Sequence, residues 1–288
     1  MNQIKLFIEL TRLEKPIGYM LLFWPCAWGL TLAYDFSSNL NNYFFYLLLF
    51  FLGAVLMRSA GCIVNDILDK EFDKKVFRTK NRPVASGKIS IKVAFIYASI
   101  LCLLALFVLL NFNQFTIILA LGSMPLAFTY PLMKRFTYWP QLFLGITFNY
   151  GLILGWTSIK GEIDIVLIIF YLGAIFWTLG YDTIYGYQDI KDDEIIGLKS
   201  TSIKFKGNEK KFLFTCYALF LFLFLVGGYL MKFNNAYYFL TIIPFLHMFF
   251  YQMKTFEPKE PISCLRAFKS NNMFGLIIFL NILVVKNI

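Results

Sequence analysis

Two groups of aspartates carry the chemistry that this sequence could do. The first comprises Asn65, Asp66, Asp69, Glu71 and Asp73, and its Asp66, Asp69 and Asp73 are spaced three and four residues apart. That spacing stacks side chains along one helical face. The second runs from Tyr181 to Glu194, with Asp182, Asp189 and Asp193 at intervals of seven and four, again one helical stripe. Like charges so arranged repel one another, so a cation or a cationic partner has to compensate them. No thiolate or imidazole stands beside either group, and oxygen donors alone suit Mg2+, which binds through a few carboxylates plus substrate phosphates. Two such groups about 120 residues apart form a pseudo-repeat able to clamp a diphosphate through bridging metal ions.

Basic residues follow the first group closely. Arg78, Lys80 and Arg82 begin five residues after Asp73, near enough to hold the same phosphates, and arginine suits phosphate through its two-pronged donor geometry. With few carboxylates expected near them, residues 77–87 should stay mobile until a diphosphate arrives. Tyr130, Lys134 and Arg135 offer a phenol and two cations at the end of another apolar run. Arg58 sits two turns before Asp66 inside an apolar helix, where an unpaired guanidinium is costly, so it needs an acidic partner or a bound anion. His247 is the single histidine and cannot build a metal site alone. GxSxG, HExxH and GxxxxGK[ST] patterns are absent, which removes support for serine hydrolase, zincin and P-loop chemistry.

These residues are positioned by a chain made for lipid. Of 288 residues, 59% are hydrophobic, 19% aromatic and only 15% charged. The apolar residues gather near 17–34, 43–64, 91–110, 113–130, 141–159, 163–181, 212–231, 236–253 and 270–285. Those blocks approach bilayer length, and without strand-like alternation they are predicted as helices, giving an all-α polytopic membrane protein of about nine spans. The last block is weakened by Asn271, Asn272 and Asn281 and is expected to lean on its neighbours. With the N-terminus inside, 23 of the 27 basic residues fall on the cytosolic side and three opposite, while Arg58 lies within the second span. Both aspartate groups lie on the basic side. The net charge of +10 is therefore an orientation signal rather than a nucleic-acid surface. The five cysteines show no CxxC pairing and are read as packing residues. The stretch Met1 to Lys15 has mixed charge, unlike an Arg- and Ser-rich organelle-entry segment, which points to a bacterial inner membrane.

The residues resemble the UbiA family of intramembrane aromatic prenyltransferases over nearly the whole chain. Asn65, Asp66, Asp69 and Asp73 fit that family's NDxxDxxxD motif, Asp189 and Asp193 its second DxxxD motif, and Tyr130 with Lys134 its YxxxK element. Flanking stretches, including Arg12 to Gly18, Arg58 to Gly61, Asn81 to Pro83, Tyr181 to Tyr185 and Lys199 to Thr201, are similar to those of members that act on 4-hydroxybenzoate.

The resemblance implies helices around a central cavity, an Asp-rich cytosolic cap and a lateral opening for the prenyl tail. It implies a single transmembrane domain over residues 1–288, with its Asp-motif helices near 58–90 and 175–206. It further implies that Asn65, Asp66, Asp69, Asp73, Asp189 and Asp193 hold Mg2+ against a polyprenyl diphosphate, with Lys80, Arg82 and Lys134 assisting. A ring carbon ortho to the hydroxyl of 4-hydroxybenzoate would attack, as in ubiquinone biosynthesis. Arg58 or Arg135 would hold the acceptor carboxylate, and Asp182 and Tyr185 would join the substrate site. No nucleic acid and no obligate protein partner are expected. The alternatives are another family reaction, making haem O or menaquinone, and, from another class, a transporter. A transporter would carry its charges at mid-span, where only Arg58 lies.

Overall fold

The computed structural model describes residues 3–288; Met1 and Asn2 of the N-terminal stretch lie outside the described residues. All regular structure among them is helical. The long helices are α1 (Ile17–Ala33), α2 (Leu40–Leu68), α3 (Ile91–Leu109), α4 (Gln114–Thr129), α5 (Pro140–Lys160), α6 (Ile165–Gly186), α7 (Glu209–Leu230), a broken run α8 over residues 235–255, and α9 (Asn271–Lys286). Seven helices among the described residues are long and apolar enough to cross a membrane; α4 continues through Phe136, and Pro261–Lys269 joins α9, to reach that length. Against the nine expected runs, α1 has only 17 residues, about 25 Å against a hydrocarbon core of about 30 Å. The α8 run is interrupted by a π-helical turn at His247–Gln252.

Helix α1 is central, buried almost without a break from Leu21 to Ala33, as befits a helix apolar all round. It crosses α5 through glycines on both sides: a Cβ at Gly29 would lie 2.1 Å from the Leu152 carbonyl oxygen, and one at Gly155 would lie 2.3 Å from that of Cys26. Membrane helices gain from such close backbone approach, because lipid provides no hydrophobic drive toward association. Asn271 and Asn281 of α9 are buried, and Asn272 is exposed. Asn271 accepts from the Trp177 indole at 2.8 Å, Asn272 from Trp24 at 2.9 Å, and the Gly275 carbonyl from Trp28 at 2.9 Å. The weak last block therefore leans on α1 and α6, as its asparagines suggested. By contrast α3 presents Phe95, Leu103 and Phe107 outward.

A second, smaller core joins the N-terminal helix Gln3–Thr11 to α2 and α3 through Leu6, Leu10, Ala60, Ile63, Val84 and Ala98. This attachment sets the turn that follows, in which Arg12 adopts a left-handed φ of 57°, unusual for a residue with a Cβ. Replacing Gly29 or Gly155 by Val should cost about 2 to 3 kcal/mol of stability by overpacking, seen as a lower midpoint of thermal unfolding in detergent. Gly122→Ala, where an added Cβ meets open space, should leave that midpoint unchanged or slightly raised.

Candidate active site

The first aspartate group straddles a helix end. Helix α2 stops at Leu68, Asp69 occupies the junction, and a short helix, Lys70–Asp73, follows. Amide bonds from Asp69 to the Asn65 carbonyl and from Asp73 to the Asp69 carbonyl carry the helical register across the break. The expected stripe therefore survives. Asp66 and Asp69 are each 1% exposed and Asp73 6%.

The second group divides differently from the expectation. Helix α6 ends at Gly186, and Asp189 heads a separate short helix, Ile190–Ile195, so Asp182 does not share a continuous helix with Asp189 and Asp193. Ser202 packs against Gly186 and donates to the Thr183 carbonyl at 2.7 Å, the acceptor that the Tyr187 amide would use in a continued helix; that amide bonds to the Ile184 carbonyl instead. Asp69 (φ −98°, ψ 7°) and Asp189 (φ −114°, ψ 8°) have nearly the same backbone conformation. The Asp193 amide bonds to the Asp189 carbonyl as that of Asp73 does to Asp69.

Every carboxylate of the first motif meets a base. Asp66 takes Arg12 and, at 3.2 Å, Arg82; Arg82 also reaches Asp73 at 2.8 Å. Asp69 takes Lys134 and, at 3.4 Å, Arg135. The second motif is joined to the first by Arg78, which grips both oxygens of Asp189 and lies 5.5 Å over the Tyr185 ring. The Phe77 amide adds a bond to Asp192 at 3.0 Å. Thus the segment expected to be short of partners is tied to both motifs. Burial, and then the charge of Asp189, push the Asp193 carboxyl up to about 6.

Not all expected residues converge. Lys80 is exposed and lies 4.6 Å from the Phe77 ring, with no carboxylate partner. Of the three loop cations, Arg78 and Arg82 reach the aspartates and Lys80 does not. Residues 76–82 turn helically, through amide bonds from Lys80 to Val76 and from Arg82 to Thr79, so residues four apart share a face. That spacing of Arg78 and Arg82 was visible in the sequence. Arg12 carried no such signal, because only the fold of the N-terminal helix brings it to Asp66. The Asn65 side chain makes no hydrogen bond.

Deeper in the membrane, Arg58 lies 5.6 Å from the Phe148 ring, its Nε buried without a hydrogen-bond partner, and a Cβ at Gly18 would come within 2.9 Å of it. Asp182, Tyr130 and Tyr181 are within its electrostatic reach. The Tyr181 hydroxyl is also buried, next to the Thr178 side chain. Arg135, the other candidate for an acceptor carboxylate, already donates to the Leu68 carbonyl at 2.8 Å and stacks 5.0 Å from Phe72. His247 is packed against Tyr251 and Phe274.

Among the described residues no three carboxylates, thiols or imidazoles converge into a ready-made ligand set. The oxygen-only donors nevertheless fit Mg2+, which takes one or two carboxylates and completes its shell with water and substrate phosphate.

The family model for "UbiA prenyltransferase family" matches residues 22–281. The chain belongs to that family. A relative from Bos taurus, the mitochondrial 4-hydroxybenzoate polyprenyltransferase, is 45% identical over 96% of this chain and 74% of its own length. Its Arabidopsis thaliana counterpart of the same name is 41% identical over 96% and 68%. A UbiA homolog from Archaeoglobus fulgidus bound to GPP and Mg2+ superposes with a TM-score of 0.73 at 16% identity, covering 98% of this chain and all of the other.

The eukaryotic, mitochondrial relatives of this UbiA-family chain overturn the bacterial inner-membrane address read from its N-terminus. Charge and hydropathy orient a chain across a bilayer, but any bilayer offers the same hydrocarbon, so they do not say which one. If Arg78 ties the segment down, its amides over 77–87 should be protected from hydrogen exchange without ligand. Asp189→Asn should speed their exchange about tenfold, the loss of one charge-assisted contact at a partly exposed site.

Proposed function

We propose that this chain transfers a polyprenyl group from polyprenyl diphosphate to the ring of 4-hydroxybenzoate, ortho to its hydroxyl, in ubiquinone biosynthesis in a mitochondrial membrane. The supporting observation is the 45% identity, over 96% of the chain, to a relative bearing that activity in its name. The solved homolog with GPP and Mg2+ supports the donor class and the metal. The chain is read as one domain in which the Asp69/Asp73 and Asp189/Asp193 segments are repeats, a reading supported by their matching backbones.

Asn65, Asp66, Asp69, Asp73, Asp189 and Asp193 are the oxygen donors for Mg2+, which when bound supplies positive charge against the departing diphosphate. Carboxylates that engage a metal no longer need their basic partners. Arg12, Arg78, Arg82 and Lys134 are then free to turn toward phosphate oxygens, a short movement because they already line the same cap. Arginine forks suit that exchange of one oxyanion for another. As the prenyl carbon becomes cationic, nearby aromatic faces such as Tyr130, Phe148 and Tyr185 can stabilise it. Arg58 is favoured over Arg135 for the acceptor carboxylate: both have a buried, unpartnered Nε, but Arg135 is engaged through Nη2 with the Leu68 carbonyl and Asp69, whereas Arg58 makes no hydrogen bond or ion pair.

Purified membranes given a polyprenyl diphosphate and 4-hydroxybenzoate should form a prenylated acid only with Mg2+. Asp66→Asn and Asp189→Asn should each lower that rate by about 100-fold or more, the scale of losing one preorganised electrostatic group. Product with another aromatic acceptor but not with this one would overturn the acceptor and leave prenyl transfer standing.

A further inference from the structure

Ring prenylation ends with a proton to be removed, and most carboxylates of the cap are committed elsewhere. Asp66, Asp69, Asp73 and Asp189 each hold a basic side chain and are the metal's donors when it binds. Asp192 accepts the Phe77 amide, and Asp193 lies on the short helix beyond the end of α6. Asp182 differs. It lies in α6 four residues before the helix ends at Gly186, inside the apolar part of the protein, and it takes part in no hydrogen bond and no ion pair.

Its nearest opposite charge is equally unsatisfied. Arg58 makes no hydrogen bond through its buried Nε, and although the two charges attract one another they are not in ion-pair contact. A guanidinium and a carboxylate in a low-dielectric interior would normally close onto each other. Here they stay apart, with Tyr130 close to both. A molecule that is anionic at one end and carries a losable proton at the other would satisfy both groups together. An aromatic hydroxy acid has that polarity.

We propose that Asp182 is the catalytic base that removes the ring proton from the aromatic acceptor, a role that rests on the prenyl transfer proposed above. The allylic carbon–oxygen bond breaks with its electron pair leaving on the diphosphate. A ring π pair forms the new carbon–carbon bond. The carbon–hydrogen bond at that ring carbon then breaks, its pair restores aromaticity, and the proton passes to an Asp182 oxygen and on to water. No oxidant or reductant is required. A carboxylate placed within reach of that hydrogen accelerates the step by about 100- to 10,000-fold.

The test compares wild type, Asp182→Asn, Asp182→Glu and Asp182→Ala with 4-hydroxybenzoate that is either unlabelled or deuterated at both carbons ortho to the hydroxyl. In Asp182→Asn, turnover should fall by about 100-fold or more, and a primary deuterium isotope effect absent from wild type should appear, with acceptor KM little changed. Asp182→Glu should recover part of the rate, and added formate should partly restore Asp182→Ala, a rescue that a merely structural role would not show. Unchanged turnover in Asp182→Asn, or lost turnover without an isotope effect and without formate rescue, would overturn the assignment. If wild type prenylates a different ring acceptor, the same comparison on that acceptor, deuterated at the attacked carbon, decides the role of Asp182 independently of the acceptor's identity. If wild type prenylates no aromatic ring, the base assignment falls together with the transfer reaction.

Discussion

Three nearly buried carboxylates stacked at a membrane boundary must be neutralised, and much of the cap is arranged around that requirement. Taking one ion out of water costs several kcal/mol even after relaxation, and Asp66, Asp69 and Asp73 are buried within two helical turns of one another. The compensating charges come from several segments: Arg12 from the N-terminal turn, Arg82 from residues 76–82, and Lys134 and Arg135 from the end of α4, while Arg78 of the same 76–82 segment pairs with Asp189 of the second group. Each segment must therefore fold back over the aspartates. The cap is in this sense organised by charge more than by apolar packing.

The same arrangement prepares the site for chemistry. A set of oxyanions satisfied by guanidinium and ammonium groups can trade those partners for a divalent cation and offer the released bases to a second set of oxyanions, those of a diphosphate. Total charge is nearly conserved in such an exchange, so no buried group is left unpaired. Arg78 is the hinge point, because it alone among these bases spans from the first motif's loop to Asp189 of the second motif.

Below the cap, the constraint changes from charge to close packing. Helix α1 can sit at the centre only because Gly29 and Gly155 let its backbone touch that of α5, and indole-to-asparagine bonds fasten α9 to α1 and α6. This rigid interior leaves Arg58 and Asp182 held near one another but out of contact. The two opposite charges lie in the same interior region as Tyr130.

The sequence alone determined the class of the protein. Blocks of apolar residues near bilayer length admit only helices, and carboxylates at three- and four-residue spacing, with Arg82 and Lys134 further along the chain, stand out as polar groups that need partners. Those are local signals, carried by periodicity and composition. Pairings across the fold were not legible, because ion-pair partners depend on how distant segments meet. Arg12 reaches Asp66 across 54 positions and Arg78 reaches Asp189 across 111. Likewise the break after Gly186, which separates Asp182 from Asp189, coincides with Ser202 taking the Thr183 carbonyl, a contact between residues far enough apart in sequence to be illegible there. Only the tertiary structure could show that Lys80 points away while Arg78 points in, since a charged side chain in a loop has no preferred partner until the fold supplies one.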